Sequence, residues 1–235
     1  ITYFNNSPDA LTYLWLQLDE NEHSTVNKAD FEEGSSLRQV SQASIKALED
    51  AKKDNGYGHI ISKITDATGK ALKYTINQTM MRVDLPATLQ PGQKFVFNIK
   101  WWYNINNYMT DRGRSGFEIF DDGNTAYVIA QFHPRLAVYN NVEGWQNLQF
   151  WGSSEFALEF GNFEVNITTP KDFILIGTGV LQNPKEVLSN DQFKRYEDSK
   201  TAFDKPIYIV TPEEALAANK GITKETKTFK LLAEN

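Results

Sequence analysis

Residues 126–181 read AYVIAQFHPRLAVYNNVEGWQNLQFWGSSEFALEFGNFEVNITTPKDFILIGTGVL and are the most informative part of the chain. Four apolar runs typical of strands lie at 127–131, 155–160, 162–168 and 173–181. A turn-rich aromatic stretch follows the first run, and Pro170 ends the third because it has no N–H to donate to a neighbouring strand. Strands this close together in sequence favour an antiparallel meander.

Alternation of apolar and polar residues predicts more strands on both sides of this stretch. In residues 11–18, Leu14, Leu16 and Leu18 fall on one face, and residues 94–103 form the strongest strand pattern in the chain. Pro86 and the later Pro91 bracket a predicted loop that presents Leu89. Shorter strands are predicted at 1–4, 60–65, 72–76, 80–85, 117–120, 207–210 and 226–232.

Helices are predicted to be few and short. An amphipathic pattern predicts one helix at about 37–52, inside a polar, partly helical excursion that spans about 19–58. Pro184 opens another helical segment, and Ser189 is predicted to cap a helix at 190–200. Thr211, followed by proline and two acids, predicts a helix through about residue 219. The fold class predicted is mainly β, with a few short helices in a single domain over residues 1–235.

The composition excludes several classes of function. The net charge of −6 argues against a general phosphate-binding surface, so no nucleic-acid partner is expected. No apolar run reaches about 18 residues, so no membrane span is expected. The chain has no cysteine, which removes disulfides, thiolate nucleophiles and Cys-ligated zinc. Aromatic residues make up 13% of the chain and favour pleated, half-buried sheet.

The residues show no catalytic or metal-binding motif. His23, His59 and His133 lack the i, i+4 spacing of a helical zinc pair, and we interpret them as unrelated surface or strand residues. Neighbouring acids such as Asp19 and Glu20 would point to opposite faces of a strand, so they do not form the facing carboxylate pair of a glycosidase. We predict no catalytic residue and no metal ligand in this chain.

The tryptophans leave a second kind of function open. The indole rings of Trp101, Trp102, Trp145 and Trp151 could together form a stacking platform for a sugar ring. Tryptophan is more often found in a core or an interface, because it buries a large apolar area. A free-standing carbohydrate-binding β-sandwich is therefore the alternative reading of the chain.

Several segments together resemble a known family. They are ITYFNNSPDALTYLWLQLDEN, KFVFNIKWWYNI, RGRSGFE, IAQFHPRLAVYNNVEGWQNLQF, EFALEFGNFEVNITTP, GTGVLQNP and KTFKLLAEN. They are similar to the N-terminal domain of zinc aminopeptidases of the aminopeptidase N type (peptidase family M-one, the gluzincins), in its bacterial branch. The resemblance covers nearly the whole chain and is weakest at 22–58.

The resemblance implies a saddle-shaped, mostly antiparallel β domain or β-sandwich that packs on a thermolysin-like catalytic domain of the same polypeptide. In the family that second domain carries the Gly-x-Met-Glu-Asn loop and the His-Glu-x-x-His zinc site. Neither motif occurs in these residues. We therefore expect no cofactor in this chain, zinc in the catalytic domain of the parent metallopeptidase, and no peptide hydrolysis by this chain alone.

The resemblance also implies one substrate-binding residue. In the family a glutamine near a strand end, ahead of a Phe-Pro segment, contacts the free α-amine of the peptide substrate. Gln131 is the nearest match, although here Gln131, Phe132, His133 and Pro134 are contiguous, whereas the family has several residues between the glutamine and Phe-Pro. The alternative is that Gln131 only ends a strand and bonds the backbone.

The beginning of the chain suggests a compartment. It opens on an apolar strand, ITYF, with no basic and apolar leader. We expect a mature or excised piece of an exported bacterial protein, either periplasmic, secreted or on the outer surface.

Overall fold

A computed structural model describes residues 1–25, 56–150, 157–218 and 223–234, with positions 41, 42, 45, 46 and 49 between the first two ranges. Its strands are β1 (Thr2–Phe4), β2 (Leu11–Gln17), β3 (Ile60–Asp66), β4 (Tyr74–Asn77), β5 (Met80–Leu89), β6 (Lys94–Trp102), β7 (Gly116–Ile119), β8 (Thr125–Val128), β9 (Arg135–Leu136), β10 (Tyr139–Asn140), β11 (Gly144–Trp145), β12 (Phe163–Pro170), β13 (Val180–Leu181) and β14 (Thr226–Ala233). Its helices are a 3-10 helix (Asp19–His23), α1 (Pro184–Val187), α2 (Asn190–Ser199) and α3 (Pro212–Ala218). The helix predicted at 37–52 lies mostly outside the described residues.

The predicted mainly β fold class is confirmed. Every pairing between the named strands is antiparallel, and the helices are short. Contacts divide the chain into two compact units, Ile1–Glu159 and Phe160–Asn235. The single domain over 1–235 stays a prediction.

The first unit is built around β2. One of its sheets has the strand order β4-β5-β2-β9, and a second sheet has the order β1-β6-β3. Leu14, Leu16 and Leu18 are fully buried and belong to one core cluster with Phe97 of β6. The predicted period-two strand at 11–18 is therefore confirmed, because alternate side chains of a strand point to the same face.

The predicted loop around Leu89 is wrong. The strand β5 continues through Pro86, and Leu89 is buried opposite Leu11. The register shifts between the Leu11–Leu89 pair and the Tyr13–Asp84 pair, so residues 85–88 of β5 face a single residue of β2. A bulge leaves residues without a ladder partner, and a proline is tolerated there because no N–H is required.

The second unit combines one sheet with short helices. Its strand order is β12-β14-β13, and β12 pairs with β14 from Phe163 to Pro170. Ser189 caps α2 through a capping box: its hydroxyl accepts the Gln192 N–H at 3.2 Å, and the Gln192 side chain accepts the Ser189 N–H at 3.1 Å. The helices predicted after Ser189 and after Thr211 are both confirmed.

The predicted meander is wrong. Strands within residues 126–181 pair with distant partners: β8 with β7, β9 with β2, and β12 with β14. Residues 157–160, 173–177 and 207–210 are not strands. The last two segments line a cavity with their apolar side chains instead of pairing, and the first marks the boundary between the units. A short apolar run is compatible with either outcome, which is why the pattern misleads.

Across the described residues, no helix combines the length and apolarity that a membrane crossing requires.

Removing a buried leucine should test the position of this core. Leu16→Ala should lower the free energy of unfolding by about 2–5 kcal/mol, because it deletes a fully buried side chain and leaves a cavity. The matched control is Leu148→Ala, whose side chain is 83% exposed and should change that free energy by less than about 0.5 kcal/mol. Urea unfolding of both variants measures the difference, and similar losses would contradict the proposed core.

Candidate functional site

A buried polar cluster follows β2 in the first unit. It consists of the residues Asp19, Glu20, Glu22, His23, His59, Asp111, Ser115, Gln131, His133 and Arg135. The 3-10 helix begins here, and Asn21 anchors it by donating to the Gln78 carbonyl at 2.7 Å and accepting the His59 N–H at 2.7 Å. Charged residues are rarely fully buried unless they are paired. The hydrogen-bond and ion-pair partners of each side chain therefore determine which groups remain available to bind a ligand.

The ion pair between Asp19 and Arg135 lies at the centre of the cluster. Arg135 Nε donates to Asp19 Oδ2 at 2.6 Å, and Nη2 donates to Oδ1 at 3.2 Å. Both side chains are buried. Arg135 stands on β9 opposite Gln17, so the sheet register brings it to the start of the 3-10 helix. Loss of one partner from such a pair would strand a buried charge at a cost of about 3–5 kcal/mol.

Gln131, the predicted substrate-binding residue, lies beside this ion pair. It follows the end of β8 and has a φ of +55°, which is an uncommon conformation for a residue other than glycine. Its amide Nε2 donates to Asp19 Oδ2 across 3.4 Å. Within the described part of the chain, no hydrogen bond reaches its Oε1. The side chain therefore bonds a carboxylate rather than the backbone, and its role toward substrate stays a prediction.

His23 connects the 3-10 helix to the loop that precedes β7. Its Nδ1 lies 3.0 Å from Asp111 Oδ1, and its Nε2 lies 3.4 Å from Glu22 Oε1. Burial lowers the pKa of His23, but the hydrogen bond to Asp111 and the surrounding carboxylates outweigh burial and raise it. The backbone of Gly113 packs directly against the His23 imidazole, so a Cβ at this position would be 2.6 Å from His23 Cε1. Any larger residue would push the loop away from the ring.

Glu20 and Glu22 are held away from water on the same helix. Burial raises the pKa of Glu20, and the Ser115 hydroxyl, 3.0 Å from its Oε1, acts in the opposite direction. Burial also raises the pKa of Glu22 to about 7, while the charge of His23 lowers it. Burial therefore makes Glu22 easier to protonate than an exposed glutamate.

His59 lies against the segment that follows β8. Its Nε2 is 3.0 Å from the Phe132 carbonyl, which can only accept, so this nitrogen carries the proton. His59 Nδ1 is buried without a hydrogen-bond partner in the described residues. Burial lowers the pKa of His59 to about 4, against the hydrogen bond to Phe132 and the charge of Asp19. Burial and the nearby Arg135 also lower the pKa of His133.

The interpretation of the histidines as unrelated surface or strand residues is wrong. His23 and His59 are buried, and the charge of Asp19 acts on both His59 and His133.

Asp19 and Glu20 also differ from the prediction, because both are buried on a 3-10 helix and do not alternate on a strand. In a 3-10 helix residues three apart lie on one face, so Asp19 shares its face with Glu22 rather than with Glu20. The available signal was the dense polar run DENEH directly after a core strand.

Metal binding finds no support in the part of the chain that the structure describes. Those residues contain no group of three or more His, Cys, Asp or Glu side chains placed to hold a metal ion. Asp19 is bonded to Arg135, and Asp111 to His23. Asp19 and Asp111 are thus engaged in structural contacts. The side-chain amide of Gln131 lies beside the Asp19–Arg135 ion pair.

The tryptophans do not form a row in the described residues. Trp145 packs among Tyr3, Tyr13 and Tyr139, with ring centroids 6.3, 6.4 and 5.0 Å away. Trp101 and Trp102 are successive residues of β6 and so point to opposite faces. Trp151 lies outside the described residues. This geometry does not favour the carbohydrate-binding alternative.

Comparison of the chain with family models, with characterised proteins and with solved structures gave no match.

The two buried histidines should affect stability with opposite pH dependence. The pKa of His59 is depressed to about 4, so its contribution is present above pH 6.5 and is lost as the pH falls toward 4. The wild type should have a higher free energy of unfolding than His59→Gln at pH 7, and this difference should be smaller by about 3 kcal/mol at pH 4. Glutamine keeps an N–H for the Phe132 carbonyl. Urea unfolding at a series of pH values measures this difference.

The matched control is His23→Gln. The pKa of His23 is raised, so its contribution is present below pH 6.5 and is lost as the pH rises through the folded-state pKa. This variant should therefore be most destabilised at low pH. The same sign of pH dependence for both variants would contradict the assigned environments.

Proposed function

We propose that this chain is the non-catalytic N-terminal domain of an aminopeptidase-like zinc metallopeptidase. In this proposal it packs on the catalytic domain of the same polypeptide and forms one wall of the site that binds the free N-terminus of peptides. The zinc and the general base belong to the catalytic domain. The same resemblance implies a bacterial parent, and we propose that this parent is exported to the periplasm, the outer surface or the medium.

The observation that carries this proposal is the apolar surface of the β7–β8 hairpin. Val128 and Ile119 are 60% and 61% exposed, and their neighbours Phe120, Tyr127 and Ile129 are exposed as well. Consecutive strand residues point to opposite faces, so the hairpin presents apolar side chains on both faces. On one face Ile119 and Tyr127 lie with Phe117, whose ring centre is 6.1 Å from that of Tyr127, and Val128 lies on the other face. Exposed apolar surface of this kind marks a place where a partner packs.

The position of Gln131 supports a role near the substrate. Its segment directly follows the hairpin, and its amide nitrogen is held by Asp19. This arrangement directs the bonded nitrogen toward the ion pair and leaves Oε1 as an acceptor. An ammonium group of a peptide N-terminus is a suitable donor for that oxygen.

Gln131→Ala should lower activity in the polypeptide that includes the catalytic domain. A hydrogen bond to a charged group contributes about 1.5–3 kcal/mol, so kcat/KM for an aminoacyl p-nitroanilide should fall by roughly tenfold to a hundredfold. The melting temperature should hardly change, because among the described residues Gln131 contributes a single long hydrogen bond to the cluster. Gln90→Ala, an exposed glutamine in the same unit, is the matched control. Normal kinetics together with a lowered melting temperature would make Gln131 a structural residue.

Substitution of the hairpin should separate folding from assembly. Val128→Lys should leave the stability of the isolated 235-residue chain within about 0.5 kcal/mol, because the side chain is largely exposed. In the longer polypeptide it should lower both the melting temperature and the aminopeptidase activity, since a charge would then be buried in the interface. Val142→Lys, at an exposed position of the β10–β11 turn, is the control. Equal behaviour of the two variants would remove the hairpin from the proposed interface.

A further inference from the structure

The second unit contains a cavity of about 930 Å³ that the proposed function does not use. Its walls are one face of β14, the segment 173–177, the segment 207–211 and side chains of α2 and α3. The lining is mostly aliphatic and aromatic. Cavities that hold small molecules in proteins commonly have about 300–1,000 Å³, apolar walls and a few polar groups.

The polar groups are concentrated near one end of β14. Lys227, Phe229 and Leu231 alternate along this strand and line the cavity with the same face. The Lys227 ammonium lies 5.0 Å from the centre of the Phe229 ring. Burial lowers the pKa of Lys227, and the charge of Asp172 only partly offsets this. Among the described residues no carboxylate lies within ion-pairing distance of Lys227, so its charge is incompletely balanced.

The other end of the same face is apolar. Leu231 follows Lys227 by four residues, which corresponds to roughly 13 Å along a strand. Gly177 packs directly against Leu231, and a Cβ on Gly177 would lie 2.5 Å from Leu231 Cδ1. Val180 and Leu181 line the cavity next to it. A ligand lying along β14 would therefore meet a cation first and then only apolar side chains.

The cavity is open to the solvent. Ile176 and Tyr208 both line it and are 95% and 73% exposed, so they mark its mouth.

The Arg195–Glu214 ion pair involves α3, where Arg195 Nη2 donates to both Glu214 carboxylate oxygens at 2.7 and 2.6 Å. Glu214 is therefore neutralised by Arg195, and the other charged residues on the lining are Lys227, Asp172 and Lys171, the last of which pairs with Glu225 at 2.9 Å.

We propose that this cavity binds a small amphiphile that has one carboxylate head group and an unbranched apolar tail. Lys227 binds the carboxylate, and the tail lies along Phe229 and Leu231 toward Gly177. The inference concerns the second unit alone and does not depend on the proposed function.

Three probes that share one tail test the head group. Octanoate, 1-octanol and octylammonium are titrated separately into the 235-residue chain, and binding is followed by calorimetry and by NMR shifts of the cavity residues. Octanoate should bind at one site and at least about tenfold more tightly than 1-octanol, because it gains a hydrogen bond to a charged group. Octylammonium should bind most weakly. Absence of octanoate binding, or tighter binding of 1-octanol, would overturn the proposal.

Substitutions of Lys227 test the assigned anchor. Lys227→Gln should weaken octanoate binding by about 10- to 100-fold and leave 1-octanol binding nearly unchanged. Lys227→Glu should reverse the order, so that octylammonium binds more tightly than octanoate. Lys230→Gln is the matched control, because Lys230 is exposed on the opposite face of the same strand. Equal effects at the two lysines would show a general charge effect and overturn the role of Lys227.

A filled cavity tests the binding of the tail. Ala215 of α3 lines the cavity, and Ala215→Phe should remove binding of all three probes while the far-UV circular dichroism spectrum stays native. Retained octanoate binding in a folded Ala215→Phe variant would contradict the location. If this variant fails to fold, the order of the three probes on the wild type still decides for or against the proposal.

Discussion

The buried ion pair between Asp19 and Arg135 is the constraint on which the polar half of the first unit depends. It joins segments that are 116 residues apart in the chain. Two desolvated charges are stable only when they hold each other in good geometry, and here the paired strands β2 and β9 supply that geometry. Gln131 bonds to the same carboxylate, so its side chain takes its orientation from the pair. The apolar core on β2 and the polar cluster on the 3-10 helix that follows it are thus adjacent in the chain.

Much of the fold could be predicted from local chemistry. The alternation of Leu14, Leu16 and Leu18 specifies a half-buried strand, and the capping box at Ser189 specifies a helix start, because both depend on neighbours in sequence. Strand pairing could not be predicted in the same way. The sequence places β12 next to β13, whereas both strands pair with β14. Segments 173–177 and 207–210 have strand-like composition but lie beside a cavity, and composition alone cannot separate these environments.

The candidate site shows the same limit. The family resemblance alone identified Gln131 as a candidate substrate-binding residue. Nothing in the neighbouring sequence indicates that its side chain bonds to Asp19. His23, His59 and His133 are scattered along the chain, and only the tertiary structure brings two of them under the influence of one carboxylate. Their pKa values move in different directions because His23 faces carboxylates while His59 is enclosed without one in contact. Residue type alone could not reveal that difference.

The long separation between Asp19 and Arg135 has a consequence for synthesis on the ribosome. The chain is made from its N-terminus at roughly 5–20 residues per second, so β2 waits roughly 6–23 s before β9 exists. The leucines of β2 wait less long, because the buried members of their core cluster lie between Tyr3 and Phe97. The apolar core around β2 can therefore begin to pack before the polar cluster does, and slow translation of residues 98–135 would prolong the time that Asp19 spends without Arg135.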